Sequence, residues 1–295
     1  MCSLSLSLFS LLHTVNIDTS VGKTHAFICP GKGTLPPAVL IHGVCSTSHD
    51  YLPLITRLQK LCQSVIVVDL PGHGRSEILG EGEPNDSWLV SAVVEVISQL
   101  VKDKAILFGN SLGGLVAIRA ALACPDKICA MVLASPAGAP VSSQELEGLK
   151  SFFRLSTHQC GVKFLSRVTA YPEKIPGPLM SIMSWATRVR VSSPSIKIIM
   201  TSVTPAHMLT SKELRRIRPP TMLIWGKFER ILPASGLAFF RKHMKQKYVE
   251  FHDEEEFGHV PFIDDPDRLL HIMKGFFERV GLPDGSIATS PPAGG

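Results

Sequence analysis

The chain has 295 residues, 45% of them hydrophobic and 19% charged, which suits one large α/β domain with a substantial core. Its formal net charge of +5 is mild for this size, and the basic clusters Arg215, Arg216, Arg218 and Arg241, Lys242, Lys245, Lys247 lack interleaved aromatics, so they read as solvated helix faces and not as a nucleic-acid surface. Seven cysteines, an odd number with no C-x-x-C pair, exclude a disulfide framework and a structural zinc site and fit a reducing, cytoplasmic compartment.

Residues 1–9 alternate serine and leucine. They lack the basic start and the small-x-small cleavage site of a signal peptide, and read as a strand or a disordered start. No apolar run approaches the length of a membrane span. Two strands are predicted near 14–18 and 25–29, with a turn at 20–23. Short apolar runs follow at 38–41, 65–68, 105–108, 128–134, 221–225 and 248–252, and they suit strands buried on both faces. Helical segments lie between most of them, at 49–62, 87–102, 111–123, 234–246 and 265–280. Strands alternating with helices predict the α/β class with a doubly wound, mostly parallel sheet. The alternation breaks from 139 to 207, where prolines at 172, 176, 178, 194 and 205 separate helical pieces. That interval is predicted to be an inserted helical lid above the strand C-termini, between core segments 1–138 and 208–283. Its apolar residues Leu179, Met180, Ile182, Met183 and Trp185 serve core packing, a pocket face, or both. Residues 284–295, rich in Gly, Ser, Pro and Ala, are predicted to form a disordered tail.

The chemistry centres on Gly109-Asn110-Ser111-Leu112-Gly113-Gly114, between the strand ending at Phe108 and a helix-capable segment. A turn this sharp crowds the positions two before and two after the serine, and Gly109 and Gly113 supply the missing Cβ atoms. Ser111 is then exposed on a strained turn at the positive end of a helix, a placement that suits a nucleophile. A serine is inert until a base removes its proton and an acid orients that base. Of eleven histidines, His259 in Phe257-Gly258-His259-Val260-Pro261 follows the last strand, on the same sheet edge as Ser111. Glu229 is the only carboxylate in the loop after the strand at 221–225, and is ranked first as the acid. Its alternative reading is an ion pair with Arg230. Asp253, in a four-carboxylate run that reads as a solvated face, is ranked second. Oxyanion stabilisation needs backbone N–H groups, and these are assigned to Leu112 and Val44, with Gly43 letting the loop turn. His42 reads as a structural hydrogen bonder and not as a second base. His42, Gly43, Met180, Met183 and Trp185 are the predicted substrate contacts.

These motifs together resemble the α/β-hydrolase fold superfamily, a serine esterase-like branch with a helical lid, over nearly the whole chain. His42-Gly43 resembles the oxyanion loop. Asp69-Leu70-Pro71-Gly72-His73-Gly74-Arg75-Ser76 resembles the D-x-x-G-x-G-x-S loop. The Ser111 segment resembles the nucleophile elbow, and Gly258-His259 with Pro261 the histidine loop. The resemblance implies the order Ser111, Glu229, His259. One departure is that Gly226-Lys227-Phe228-Glu229-Arg230-Ile231-Leu232-Pro233 places glutamate where the family usually has aspartate. Members with an aspartate nucleophile, such as epoxide hydrolases, need a carboxylate at position 111, and serine there argues against that chemistry. The expectation is a serine hydrolase of small-molecule carboxylic esters acting through an acyl-enzyme, with no cofactor, metal or nucleic-acid partner. A C–C bond hydrolase or thioesterase with the same residues is the alternative within enzymes, with Arg188 and Arg190 as candidate partners of an anionic diketone. A ligand receptor on this fold is the alternative of another class.

Overall fold

The computed structural model describes residues 13–78 and 86–282. The expectations for residues 1–9 and 284–295 fall outside the described residues. Eight strands form one sheet: β1 (His13–Thr19), β2 (Gly22–Pro30), β3 (Ala38–Ile41), β4 (Ser64–Val68), β5 (Ala105–Asn110), β6 (Ile128–Ala134), β7 (Thr221–Gly226) and β8 (Val249–Glu254). Their order is β1-β2-β4-β3-β5-β6-β7-β8. β1 and β2 form an antiparallel hairpin that joins β4 antiparallel, and every other pair is parallel.

Side-chain alternation splits each central strand between two layers. Val39, Ile41, Leu107, Met131, Leu133 and Leu223 face one core with α2 (Asp86–Leu100), α3 (Leu112–Ala123) and α9 (Ala234–His243). Leu40, Ile106, Phe108, Val132, Met222 and Ile224 face the other with α1 (Leu52–Leu58) and α11 (Pro266–Arg279). Strands covered on both faces need apolar residues at successive positions, which is why the central strands read as continuous apolar runs. The segment predicted as a helix from 49 begins as a 3-10 turn, Ser48–Tyr51, before α1. The last strand is shifted from 248–252 to Val249–Glu254, so Asp253 and Glu254 belong to the edge strand and not to the loop.

Between β6 and β7 the chain forms α4 (Ser143–Ser151), α5 (His158–Val168), α6 (Gly177–Val191), α7 (Pro194–Ser202) and α8 (Ser211–Arg215). Ser142, Thr157 and Ser193 cap three of these helices, each accepting a backbone N–H from its own helix's first turn. Pro178 and Pro194 sit in first turns, where a missing N–H costs nothing. The inserted helices rest on loops at the C-terminal ends of the strands: Leu165, Val168 and Met180 pack with Ile231, and Val191, Ile196 and Ile199 with Cys45.

The turn from β5 into α3 is the tightest passage. A Cβ on Gly109 would lie 2.4 Å from the Gly113 carbonyl oxygen, and one on Gly113 would lie 2.1 Å from the Ile41 carbonyl oxygen of β3. Gly113→Ala is expected to destabilise the protein by more than about 3 kcal/mol, lowering Tm by about 6 °C or more by calorimetry. An unchanged Tm would show that β3 and α3 can separate without cost.

Candidate active site

Ser111 stands between β5 and α3 with φ 54° and ψ −121°, a conformation that costs free energy in a non-glycine residue. The surroundings hold it there. Its N–H donates to the Ala134 carbonyl at 3.1 Å, and its carbonyl accepts from Gly114 and Ala137, both at 2.9 Å. The Asn110 side-chain amide donates to the carbonyls of Ala134 at 3.0 Å and His259 at 2.8 Å. The serine turn and the histidine loop are therefore tied through Asn110.

Pairing between β7 and β8 continues past the strands and brings the carboxylate to the histidine. Lys227 N–H donates to Glu254 at 2.8 Å, and Phe228 N–H to Phe257 at 3.0 Å. Glu229 Oε2 then lies 2.7 Å from His259 Nδ1, with both side chains buried. Oε1 accepts the N–H groups of Ile231 at 2.7 Å and Leu232 at 2.9 Å. Burial pushes the Glu229 pKa up. The His259 ring, the Leu232 N–H and the Ser135 hydroxyl outweigh burial and hold the carboxyl below its ordinary value. An ionised carboxylate only accepts, so Nδ1 is the histidine nitrogen that donates to Glu229.

The loop after β3 is braced from behind. His42 is fully buried; Nδ1 lies 2.7 Å from the Gly43 carbonyl, and Nε2 accepts from the Leu70 N–H at 3.0 Å. Burial keeps its pKa low and the ring neutral, as this donor–acceptor pattern requires. Asp69 accepts the Ser48 N–H at 2.7 Å and the Arg75 N–H at 3.1 Å, and lies 2.9 Å from His25. The loop it organises presents Val44, whose N–H has no hydrogen-bond acceptor among the described residues. Leu112 opens α3, so its N–H has no intrahelical acceptor either.

Two cavities meet at Ser111. One, about 140 Å³, is lined by Ser111, His259, Gly43, Val44, Met183 and Arg190, among others. The second, about 120 Å³, is lined by Ser111, Leu112, Leu146, Phe153, Met200 and Trp225, among others, and is almost wholly apolar.

The sequence pattern of the Alpha/beta hydrolase family matches residues 38–272. The chain belongs to that family. It is 25% identical over 272 residues to monoacylglycerol lipase ABHD6 of Rattus norvegicus, covering 85% of this chain and 78% of the relative. It is 23% identical over 259 residues to the pimeloyl-[acyl-carrier protein] methyl ester esterase of Aeromonas hydrophila, covering 83% and 96%. Among solved structures, a membrane phospholipase A described as a bacterial virulence factor superposes with a TM-score of 0.81 at 23% identity, covering 94% of this chain and 90% of that one.

Within this hydrolase fold, Ser111, His259 and Glu229 come together with Val44 and Leu112, while the predicted substrate contacts separate. Gly43 and Met183 line the cavity. His42 does not, because it faces inward and braces the loop. Met180 is buried against Leu165, Val168 and Ile231. Trp185 is 63% exposed and lines neither cavity at Ser111. Helix α6 explains all three insertion residues: 180, 183 and 185 point in three directions at 100° per residue. Asp253 is turned to Arg241 at 2.5 Å, away from His259. Arg230 donates to the Ser166 carbonyl at 3.0 Å and lies over the Phe228 ring, leaving Glu229 to His259.

Sequence reasoning did not find Asn110, Ser135 or Asp264. Asp264 stands beside Asp265 after the histidine loop, and no local pattern separates the two. Asp264 lies in α10 (Pro261–Asp264) and accepts the N–H groups of Gly258 at 2.7 Å and Ala170 at 2.8 Å. The His259 and Val260 N–H groups donate to the Val168 carbonyl at 2.9 and 3.2 Å, so the insertion and the histidine loop share one network. Burial raises the Asp264 pKa to about 6 despite its two donors. Between the ordinary aspartate value and about 6, the unfolded chain has lost this proton and the folded chain keeps it, so stability falls as pH rises through that window. Asp264→Asn has no such proton. The Tm advantage of wild type over Asp264→Asn is expected to shrink from pH 4 to pH 6, measured by a thermal-melt series. A constant difference would contradict the raised pKa.

Proposed function

We propose that the protein is a serine hydrolase that cleaves carboxylic esters through Ser111, His259 and Glu229. Ser111 Oγ attacks the acyl carbonyl as His259 Nε2 takes its proton. The same nitrogen returns the proton to the leaving alkoxide, and water then cleaves the acyl-enzyme by the reverse sequence. Glu229 holds the Nδ1–H tautomer and stabilises the imidazolium. The Val44 and Leu112 N–H groups receive the oxyanion, where one such donor typically changes the rate by about a hundredfold or more. The observation that carries this reading is the 2.7 Å contact between His259 and Glu229 beside a strained Ser111 in one cavity. Family membership and similarity to proteins named for ester cleavage support it.

The inserted helices act as a lid in this reading, because Phe153, Phe164, Met183 and Arg190 wall the cavity. Gly43 and Met183 contact substrate, and the second, apolar cavity receives a hydrocarbon acyl part. Arg190 bears on the C–C hydrolase alternative. Its guanidinium is already paired with both oxygens of Asp50, at 2.8 and 3.2 Å, and Arg188 donates to the Leu155 and Ser156 carbonyls. A cation so neutralised is a poor partner for an anionic diketone, which favours an uncharged ester. The six described cysteines are all free, which fits the reducing cytoplasm.

Ser111→Ala is expected to abolish labelling by a fluorophosphonate probe and to lower turnover of short p-nitrophenyl esters by at least about a thousandfold. Undiminished turnover in that variant would sink the reading. Glu229→Gln is expected to lower kcat by about 10⁴-fold, because a carboxamide favours the wrong tautomer. Near-wild-type kcat in Glu229→Gln would remove only the acid from the scheme.

A further inference from the structure

Helix α6 has two opposed faces. Met180, Ser184, Thr187 and Val191 are buried, and Ser184 Oγ donates to the His158 carbonyl of α5 at 2.9 Å. On the opposite side, Leu179, Ile182, Trp185 and Val189 follow one another at i, i+3, i+6 and i+10 and are 48–63% exposed. Ile198 of α7 is also exposed. Five of the six large hydrophobic side chains exposed among the described residues thus lie on the insertion, whereas scattered exposure would need no explanation.

The charge is equally uneven. Residues 139–207 hold eight Lys and Arg against three Glu, a surplus of five that equals the formal net charge of the whole chain; the rest holds twenty-two of each sign. Lys163, Arg167, Lys174 and Lys197 are exposed and make no ion pair among the described residues. Met183, Ala186, Thr187 and Arg190 of the same helix line the Ser111 cavity, so the exposed stripe and the cavity wall are adjacent strips of α6.

We propose that the insertion docks on an anionic lipid surface through this stripe. Leu179, Ile182, Trp185 and Val189 enter the boundary between headgroups and acyl chains, where tryptophan is favoured, and the exposed Lys163, Arg167, Lys174 and Lys197 meet the headgroup phosphates. A second copy of the chain is the other occupant of matching shape, but it would set a second net-positive insertion against this one. The proposal does not depend on the chemistry at Ser111.

The test is co-sedimentation of the full chain with vesicles of phosphatidylcholine alone or containing phosphatidylglycerol. Binding to the anionic vesicles is expected to be roughly tenfold tighter or more, and to weaken in high salt. Tryptophan emission is expected to shift to the blue on binding, and the shift to vanish in Trp185→Phe. An Ile182→Glu/Val189→Glu variant with wild-type Tm is expected to lose binding at least tenfold, and Lys163→Glu/Lys197→Glu to lose the anionic preference. No binding, equal binding to both vesicles, or equal binding by the Ile182→Glu/Val189→Glu variant would overturn the proposal. So would a dimer in light scattering that this variant dissociates, which would assign the stripe to a second copy.

Discussion

The close approach of three backbones at Ser111 governs the rest of the molecule. β3 and β5 are neighbours in the sheet, and α3 leaves β5 so sharply that Gly113 packs on the Ile41 carbonyl and Gly109 on the Gly113 carbonyl. Any side chain at either glycine would push the helix off the sheet. With both bare, Ser111 is driven to a positive φ and its N–H and carbonyl are claimed by Ala134, Gly114 and Ala137. The strain is held by packing on three sides, and in the proposed reaction a serine so held would need no reorganisation to meet a substrate. The same close approach sets the β3 loop beside the start of α3, which is why two unused N–H groups, of Val44 and Leu112, lie next to one hydroxyl-bearing residue.

Glutamate in place of the family's usual aspartate is accommodated by its own loop. The longer side chain folds back so that one oxygen caps the N–H groups of Ile231 and Leu232 while the other reaches His259. The Ser135 hydroxyl, from another residue with positive φ at the end of β6, adds a fourth donor. A buried carboxylate with these partners remains ionised, whereas the same group without them would be pushed toward the neutral acid. The arrangement thus meets the desolvation cost with the His259 ring and with fixed dipoles. Arg230, the nearest cation in sequence, is turned away.

The inserted helices connect three roles in one short stretch. Their inner face packs on the loops that carry Cys45 and Ile231, and their backbone at Val168 and Ala170 bonds to the histidine loop and to Asp264. Their flank walls the cavity. Their outer face is apolar and basic. Movement of the insertion would therefore be felt at His259 through main-chain hydrogen bonds, with no side-chain relay needed.

What the sequence by itself determined was the kind of element at each place and the order of the chemical groups along it. Continuous apolar runs between turn signals marked strands, covered on both faces in the middle of the sheet but only half-buried in β8 at its edge, and glycines flanking a serine between strand and helix marked a tight turn. These are local constraints, written within a few residues. The tertiary structure decided which groups meet. Asn110 reaches a carbonyl 149 residues away and Asp264 an N–H 94 residues back, and no local pattern encodes such contacts. It also decided that Met183 lines the cavity while Met180 and Trp185 do not, because three residues of one helix turn face three environments and only the docking of that helix assigns them. His42 was placed in the right loop by its motif, but its burial behind that loop follows from the Asp69 network. Periodicity and turn chemistry are properties of a segment, whereas the side a residue shows to its neighbours is a property of how the segments are packed.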